Sequence, residues 1–535
     1  MILFRRFAAV SLSLLLAAAT APVTDQAAAD RIHGHVQFLA SDELEGRDTG
    51  SRGHAIAAQY VAAQFTSLGF KPGGPGGSWF LQVPFRRASH ARPPQVSLTV
   101  DGKPRLLNNV DVGLRPSLTE KQRSIAAGLV FVGHGIVEPR LGIDEYAGLD
   151  VAGKIVVALR GAPADLPGEV AAHLELTKDQ VAASKGAIGI ATLTYAPGQP
   201  GYNPAPAISR PVVDWVEGKG ATGKAGAIRV LMVFSPTLSR QVFAGALRSL
   251  GQVGSGADRA LRGFALPARL SISAESNWQD FTSPEVIGLL PGGDPRLAQE
   301  YVVLMAHLDH LGVNPITRPG EDAIYNGALD NAAGVATMLE AARHFVLSGR
   351  PPRRSLLFIA NTGEELGLLG ADYFASHPTV PARQIAAAIN LDMPLLTYDF
   401  TDIIAFGGDH STIGRTAAEA SRGMGVTVSP DPMPQEQLFV RSDHYRFVER
   451  GIPSVFLATG YANGGRAAWA SFLAFAYHKP NDDLRQAIRW PAGARFAELN
   501  YRIARALADA DDRPRWYAHD YFGETFAPGE PRADR

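Results

Sequence analysis

Tyr301-Val302-Val303-Leu304-Met305-Ala306 is an uncharged, largely apolar run that leads into His307-Leu308-Asp309-His310. Two later stretches repeat the arrangement. Ser355-Leu356-Leu357-Phe358-Ile359-Ala360 leads into Asn361-Thr362-Gly363-Glu364-Glu365, and residues 386–391 lead into Asp392-Met393. Apolar residues at helical spacing fill 332–347, 366–376 and 412–424. Buried-type strands that alternate with helices predict an α/β fold, a mixed, mostly parallel sheet with helices on both faces. In open sheets of this kind the reacting groups collect beyond the carboxyl ends of the strands. Here each of those ends delivers a His or a carboxylate.

Working outward, residues 403–406 and 453–457 read as further strands and 491–508 as a long helix. The stretch 511–535, rich in charge and Pro, is expected to be loosely ordered. Upstream, Ile56, Tyr60, Val61, Phe65 and Leu68 outline a helix that Gly69 ends, so residues 22–84 join the catalytic unit of 281–510. Residues 85–280 differ in character. Short strands at 96–100, 128–133 and 154–159, with a helical stretch at 178–185, predict a small inserted β-rich domain. At the start, Arg5-Arg6, an apolar run over 7–19 and Ala17-Ala18-Ala19 read as a secretory signal peptide over residues 1–21. That predicts an exported protein, periplasmic or secreted, with no membrane span in the mature chain.

The 51 Lys and Arg against 52 Asp and Glu leave a formal charge of −1, so no global field favours nucleic acid or anionic lipid. Cys is absent, which removes disulfides, thiol nucleophiles and thiolate metal sites together. Any metal must be held by His, Asp and Glu. Gly-x-Ser-x-Gly and His-Glu-x-x-His are absent too, which argues against a serine hydrolase elbow and a single-zinc helical protease.

Besides the three strand ends, the sequence offers Leu329-Asp330-Asn331 ahead of a helix and Tyr477-His478 near the end. Two His and three carboxylates suffice for two metal ions if one carboxylate bridges. Two ions about 3.5–4 Å apart can share a hydroxide and stabilise both the attacking oxygen and the oxyanion of a hydrolysed bond. Imidazole with carboxylate suits Zn²⁺, with Co²⁺ or Mn²⁺ as substitutes. The adjacent Glu364-Glu365 allow one side chain to bind metal while its neighbour takes a proton from the attacking water.

These motifs, in this order, resemble those of the co-catalytic di-zinc aminopeptidases, zinc exopeptidases related to glutamate carboxypeptidase and the transferrin receptor. Residues 38–47, Phe-Leu-Ala-Ser-Asp-Glu-Leu-Glu-Gly-Arg, are similar to the family's N-terminal segment, and 85–280 to its inserted protease-associated domain. The resemblance implies a phosphorylase/hydrolase-like zinc exopeptidase fold and peptide substrates. It implies that His307 and Asp392 hold one zinc and Glu365 and His478 the other, with Asp330 bridging. Glu364 would be the general base. Asp309 would accept the ring N–H of His307, Asp482 that of His478. Tyr477 would donate to the oxyanion and Arg441 would contact substrate. His310 and His444 stand inside motifs whose ligand count other residues already fill. A carboxypeptidase, a dipeptidase or a glutaminyl cyclase shares the fold, and a non-catalytic binding protein is the remaining alternative.

Overall fold

The computed structural model describes residues 26–194, 203–217, 220–221, 228–253, 262–318 and 320–535. The stretch 1–21, expected to be an export signal, lies outside them. The main sheet contains, in chain order, β1 (Phe80–His90), β2 (Phe264–Leu290), β3 (Tyr301–His307), β4 (Ser355–Asn361), β5 (Ile385–Leu391), β6 (Asp402–Phe406), β7 (Thr427–Ser429) and β8 (Ser454–Thr459). In space β4, β3, β5 and β8 run parallel side by side. Antiparallel β2, itself paired with β1, flanks β4, and antiparallel β6 flanks β8 and carries β7.

The helices used below are α1 (Gln26–Leu39), α2 (Arg52–Ser67), α3 (Gly168–Leu176), α4 (Ala333–Leu347), α5 (Leu369–Ser376), α6 (Ile413–Arg422), α7 (Gly465–Phe475), α8 (Trp490–Asp509) and α9 (Tyr521–Phe526). β3 shows why its run is apolar throughout. Val302, Leu304 and Ala306 join the core beneath α1, α4 and α8, while Val303 and Met305 pack with Phe374 and Phe447 on the opposite face. A strand covered on both faces has no polar side. Helices cover the faces and leave the carboxyl ends of β3, β4 and β5 free to carry the site.

The region 85–280 builds a second β core, with Val96, Leu98, Phe131, Val157, Phe234 and Leu270 at its centre. β2 is shared between the two sheets. Its first half pairs with strands Gln95–Val100 and Gln122–Phe131, and its second half with β1 and β4. The expected boundaries at 85 and 280 therefore fall inside a continuous ribbon in which β1 and β2 pair from Ser276–His90 to Val286–Phe80. The pairing continues without a register shift past Pro84 and Pro284, so one ribbon runs from insert to catalytic sheet.

The stretch 511–535 departs from expectation. Trp516 and Phe522 are buried, the Trp516 Nε1–H donates to Gly451 O at 2.9 Å, and Asp520 caps α9 by accepting the Gly523 N–H at 2.8 Å. Two large apolar anchors outweigh the polar composition around them. Among the described residues no helix is long and apolar enough to cross a membrane.

Candidate active site

The carboxyl ends of β3, β4 and β5 bring His307, Glu364-Glu365 and Asp392 to one rim, and the 327–332 loop brings Asp330. Gly327 makes that loop possible. At its φ of +61° a Cβ would stand 2.3 Å from Asp330 O and 2.7 Å from the His310 ring. Asn331 ties the loop to β5: its Nδ2 donates to Leu391 O at 3.0 Å, and its Oδ1 accepts the Gly334 and Met393 N–H groups. His478 arrives from the segment after α7 with φ +55°, a left-handed backbone that turns its ring into the cluster.

The five side chains form two groups that share one carboxylate. His307 Nε2 stands 3.1 Å from Asp392 Oδ1 and 3.2 Å from Asp330 Oδ1. His478 Nε2 stands 3.2 Å from Glu365 Oε2 and 3.3 Å from Asp330 Oδ2. Each oxygen of Asp330 thus faces a different imidazole. His310 joins on the second side, its Nδ1 2.6 Å from Glu365 Oε1. Neither ring nitrogen of His310 nor Glu365 Oε1 is aligned for a hydrogen bond, although all three are buried. Lone pairs that crowd together without donor alignment are what a cation satisfies. His307, Asp330 and Asp392 form one group able to hold a metal, and His310, Asp330 and Glu365 another. Imidazole nitrogen with carboxylate oxygen fits zinc.

The electrostatics point the same way. Burial, opposed by His307 and reinforced by Glu365 and Asp392, pushes the Glu364 carboxyl well above its usual range. Asp330 is held well below, because the imidazoles of His307 and His478 outweigh the cost of burying it. Burial opposes the charge on His478, but Asp330 and Glu365 push it up to about 10. Four carboxylates packed this closely repel one another unless cations lie between them.

Two expected contacts differ. The ring Nδ1 of His307 lies 3.1 Å from the main-chain carbonyl of Asp309, not its carboxylate. The Asp309 carboxylate instead accepts the N–H groups of Glu364 and Glu365, at 3.2 and 3.3 Å, and the Thr49 hydroxyl at 3.0 Å. Beyond the end of β3 the Asp309 side chain thus reaches the neighbouring strand end rather than the ring. Asp482 does not touch the His478 ring; it accepts the N–H of Leu329 at 3.0 Å and of Asp330 at 2.9 Å. Its position after a turn places it behind the Asp330 loop.

Tyr477 stacks on His478, ring centroids 3.8 Å apart, and burial pushes its hydroxyl well up. Both line a pocket with Glu364, Arg441 and the apolar walls Leu438 and Phe456. Arg441 is half-exposed there and donates to Glu436 O at 3.0 Å.

Several contributing residues were not visible as such in the sequence. Arg47 is fully buried and donates to main-chain carbonyls of Leu39, Leu308, Asn326 and Gly327, tying the N-terminal segment to the loops of His307 and Asp330. Ser442 donates to Asp392 Oδ2 and accepts from Asn390 Nδ2. Arg47 lies in the 38–47 segment and Ser442 follows Arg441, yet what each grips is a matter of tertiary placement.

Residues 285–504 match Peptidase family M28. The M28 segment contains all five clustered side chains, together with Glu364, Tyr477 and Arg441. The chain superposes on an aminopeptidase from Aneurinibacillus sp. strain AM-1 with a TM-score of 0.52 and 21% identity, over 92% of this chain and 96% of that one, which shows a shared fold. Sequence relatives include a probable zinc metalloprotease of Pyrenophora teres f. teres, 39% identical over 108 residues, 20% of this chain and 22% of that protein. Leupeptin-inactivating enzyme 1 of Streptomyces exfoliatus is 32% identical over 193 residues, 34% of this chain and 38% of that protein. A vacuolar membrane protease of Yarrowia lipolytica is 42% identical over 66 residues, 12% of this chain and 6% of that protein. The chain thus spans well under half the length of these relatives.

Proposed function

We propose that this chain is an exported two-zinc aminopeptidase that removes N-terminal residues from peptides. The observation that carries this reading is the Asp330 carboxylate, with one oxygen toward His307 and Asp392 and the other toward His478 and Glu365. The match of residues 285–504 to Peptidase family M28 and the fold shared with an aminopeptidase support it. Its export rests on Arg5-Arg6 and the apolar run that follows. The separate β core of 85–280 supports its reading as a protease-associated insert.

Zinc in such a site supplies Lewis-acid polarisation of the scissile carbonyl and activation of the attacking water. The chain's own groups do the rest. His307 and Asp392 would hold one ion and Glu365 and His478 the other, with Asp330 as the shared ligand. Glu364 takes a proton from the water and passes it to the leaving amine. The Asp309 carboxylate, holding the N–H groups of Glu364 and Glu365, keeps base and ligand side by side. Tyr477 donates its hydroxyl toward the oxyanion of the tetrahedral intermediate.

Glu364→Gln is expected to keep its zinc and lose turnover by about 10²–10⁴-fold. Near-normal turnover in that variant would remove the base assignment. Arg441 beside the cavity favours one alternative, a carboxypeptidase that grips a C-terminal carboxylate. Paired digestion of free and N-acetylated peptides separates the two. An aminopeptidase spares the blocked peptides; trimming of blocked peptides from the C-terminus would show a carboxypeptidase.

A further inference from the structure

Besides the β1–β2 ribbon, the insert meets the catalytic unit at a half-buried ion cluster. His410, just beyond β6, places its Nε2 2.8 Å from Glu169 Oε2 in the first turn of α3 and its Nδ1 2.6 Å from Asp520 Oδ2 at the cap of α9. Insert, catalytic sheet and C-terminal stretch thus converge on one imidazole. Burial opposes charge on that ring, and the two carboxylates outweigh it and push His410 up to about 9. With a carboxylate on each nitrogen, the ring is a charged linker.

What the linker supports is the next layer inward. The His410 ring packs against Phe439, centroids 4.8 Å apart, and Phe439 also meets Phe522 at 5.0 Å and Tyr445 at 5.6 Å. Behind it Gly407 leaves no room for a side chain, since a Cβ would stand 2.8 Å from the Phe439 ring. Phe439 therefore has no slack. Its neighbours in the chain, Leu438 and Arg441, line the cavity that holds Glu364 and His478. α3 packs along the same segment, and His173 one helical turn on from Glu169 reaches the Tyr445 hydroxyl at 2.6 Å. Contacts run without a break from an insert carboxylate to the substrate-facing wall.

We propose that Glu169, acting through His410 and Phe439, is a positioning residue of the wall formed by residues 438–441, so that the insert sets how tightly the cleft holds its substrate. This rests on the peptidase reading above. Glu169 touches neither substrate nor the metal-binding cluster. Removing its charge leaves His410 with one carboxylate and loosens the wall, while Glu364 and the five clustered side chains keep their places.

The test uses the full zinc-loaded chain and the variants Glu169→Gln and Glu169→Ala, with unblocked aminoacyl p-nitroanilides as substrates. KM is expected to rise about fivefold while kcat changes by less than about twofold and zinc content stays constant. Combined with Arg441→Ala, the KM effects should be non-additive, as for groups acting through one wall. Amide hydrogen exchange over 434–441 supplies a readout that needs no turnover, and it is expected to speed up in both variants. If the wild type cleaves these substrates and neither KM nor exchange moves, the proposal is overturned, even if the melting temperature falls. If the wild type cleaves nothing but exchange speeds up, the coupling stands and the peptidase reading fails.

Discussion

The carboxylate of Asp482 receives the main-chain N–H of Asp330 at 2.9 Å on one oxygen and that of Leu329 at 3.0 Å on the other. The side chain that both halves of the cluster share is therefore held from behind through its backbone. Gln486 Nε2 donates to the same carboxylate at 2.6 Å, and burial pushes Asp482 up to about 6. Asp482→Asn turns one acceptor into a donor that faces an N–H. Zinc affinity, measured by chelator competition, is expected to fall about 10–100-fold, the range for groups that orient metal ligands. Unchanged affinity would show that the Asp330 loop holds its shape unaided.

Arg47 carries a second consequence. Its guanidinium is buried and spends its donors on carbonyls: Nε on Leu308 O at 2.9 Å, Nη1 on Asn326 O at 2.7 Å and Nη2 on Gly327 O at 3.1 Å. A lysine has one nitrogen where arginine has a planar fork. Arg47→Lys is expected to lower unfolding stability by at least about 2 kcal/mol, since buried acceptors lose their donors. Denaturant midpoints at constant slope check this; a midpoint equal to wild type would contradict it.

A pH effect follows from His344. Its Nδ1 lies 2.7 Å from Glu498 Oε2 and its Nε2 3.3 Å from Glu340 Oε1. Burial works against the charge, but these carboxylates raise the group from 6.5 to about 9. A histidine raised on folding stabilises fully below its unfolded value and loses that contribution as pH rises through its folded value. The melting-temperature advantage of wild type over His344→Gln should be largest near pH 6 and shrink as pH passes about 9. An advantage that grows with pH would reverse the assignment.

The catalytic sheet was legible because its strands are buried on both faces. β3, β4 and β5 stand as continuous apolar runs, and the structure places them side by side with the side chains at their ends on one rim. Strand ends and residue type pointed to His307, Glu364-Glu365 and Asp392, while Asp330 and His478 entered the expected ligand set through the family resemblance. What each supporting group grips could not be anticipated. A carboxylate two residues beyond His307 was expected on its ring, yet the main-chain carbonyl of Asp309 lies there, and the carboxylate spans to the neighbouring strand end.

Non-local pairing hid the rest. The 27-residue β2 alternates buried and exposed positions in the insert, is largely exposed over 277–282, and becomes buried on both faces in the catalytic sheet, so one strand reads locally as two segments with a polar link. The C-terminal stretch is polar by composition, but Trp516 and Phe522 anchor it. His310 was set aside because the ligand count was full; its 2.6 Å approach to Glu365 puts a third imidazole at the cluster, which spacing alone could not weigh.

Metal content of the purified chain, loaded with zinc, desalted and measured by mass spectrometry beside Asp330→Ala, probes the shared carboxylate most directly. Wild type should carry two zinc ions per chain, and the variant should lose both together, because each oxygen of Asp330 serves a different ion. A single ion in wild type, or a variant that still holds two, would contradict a site built around one bridging side chain.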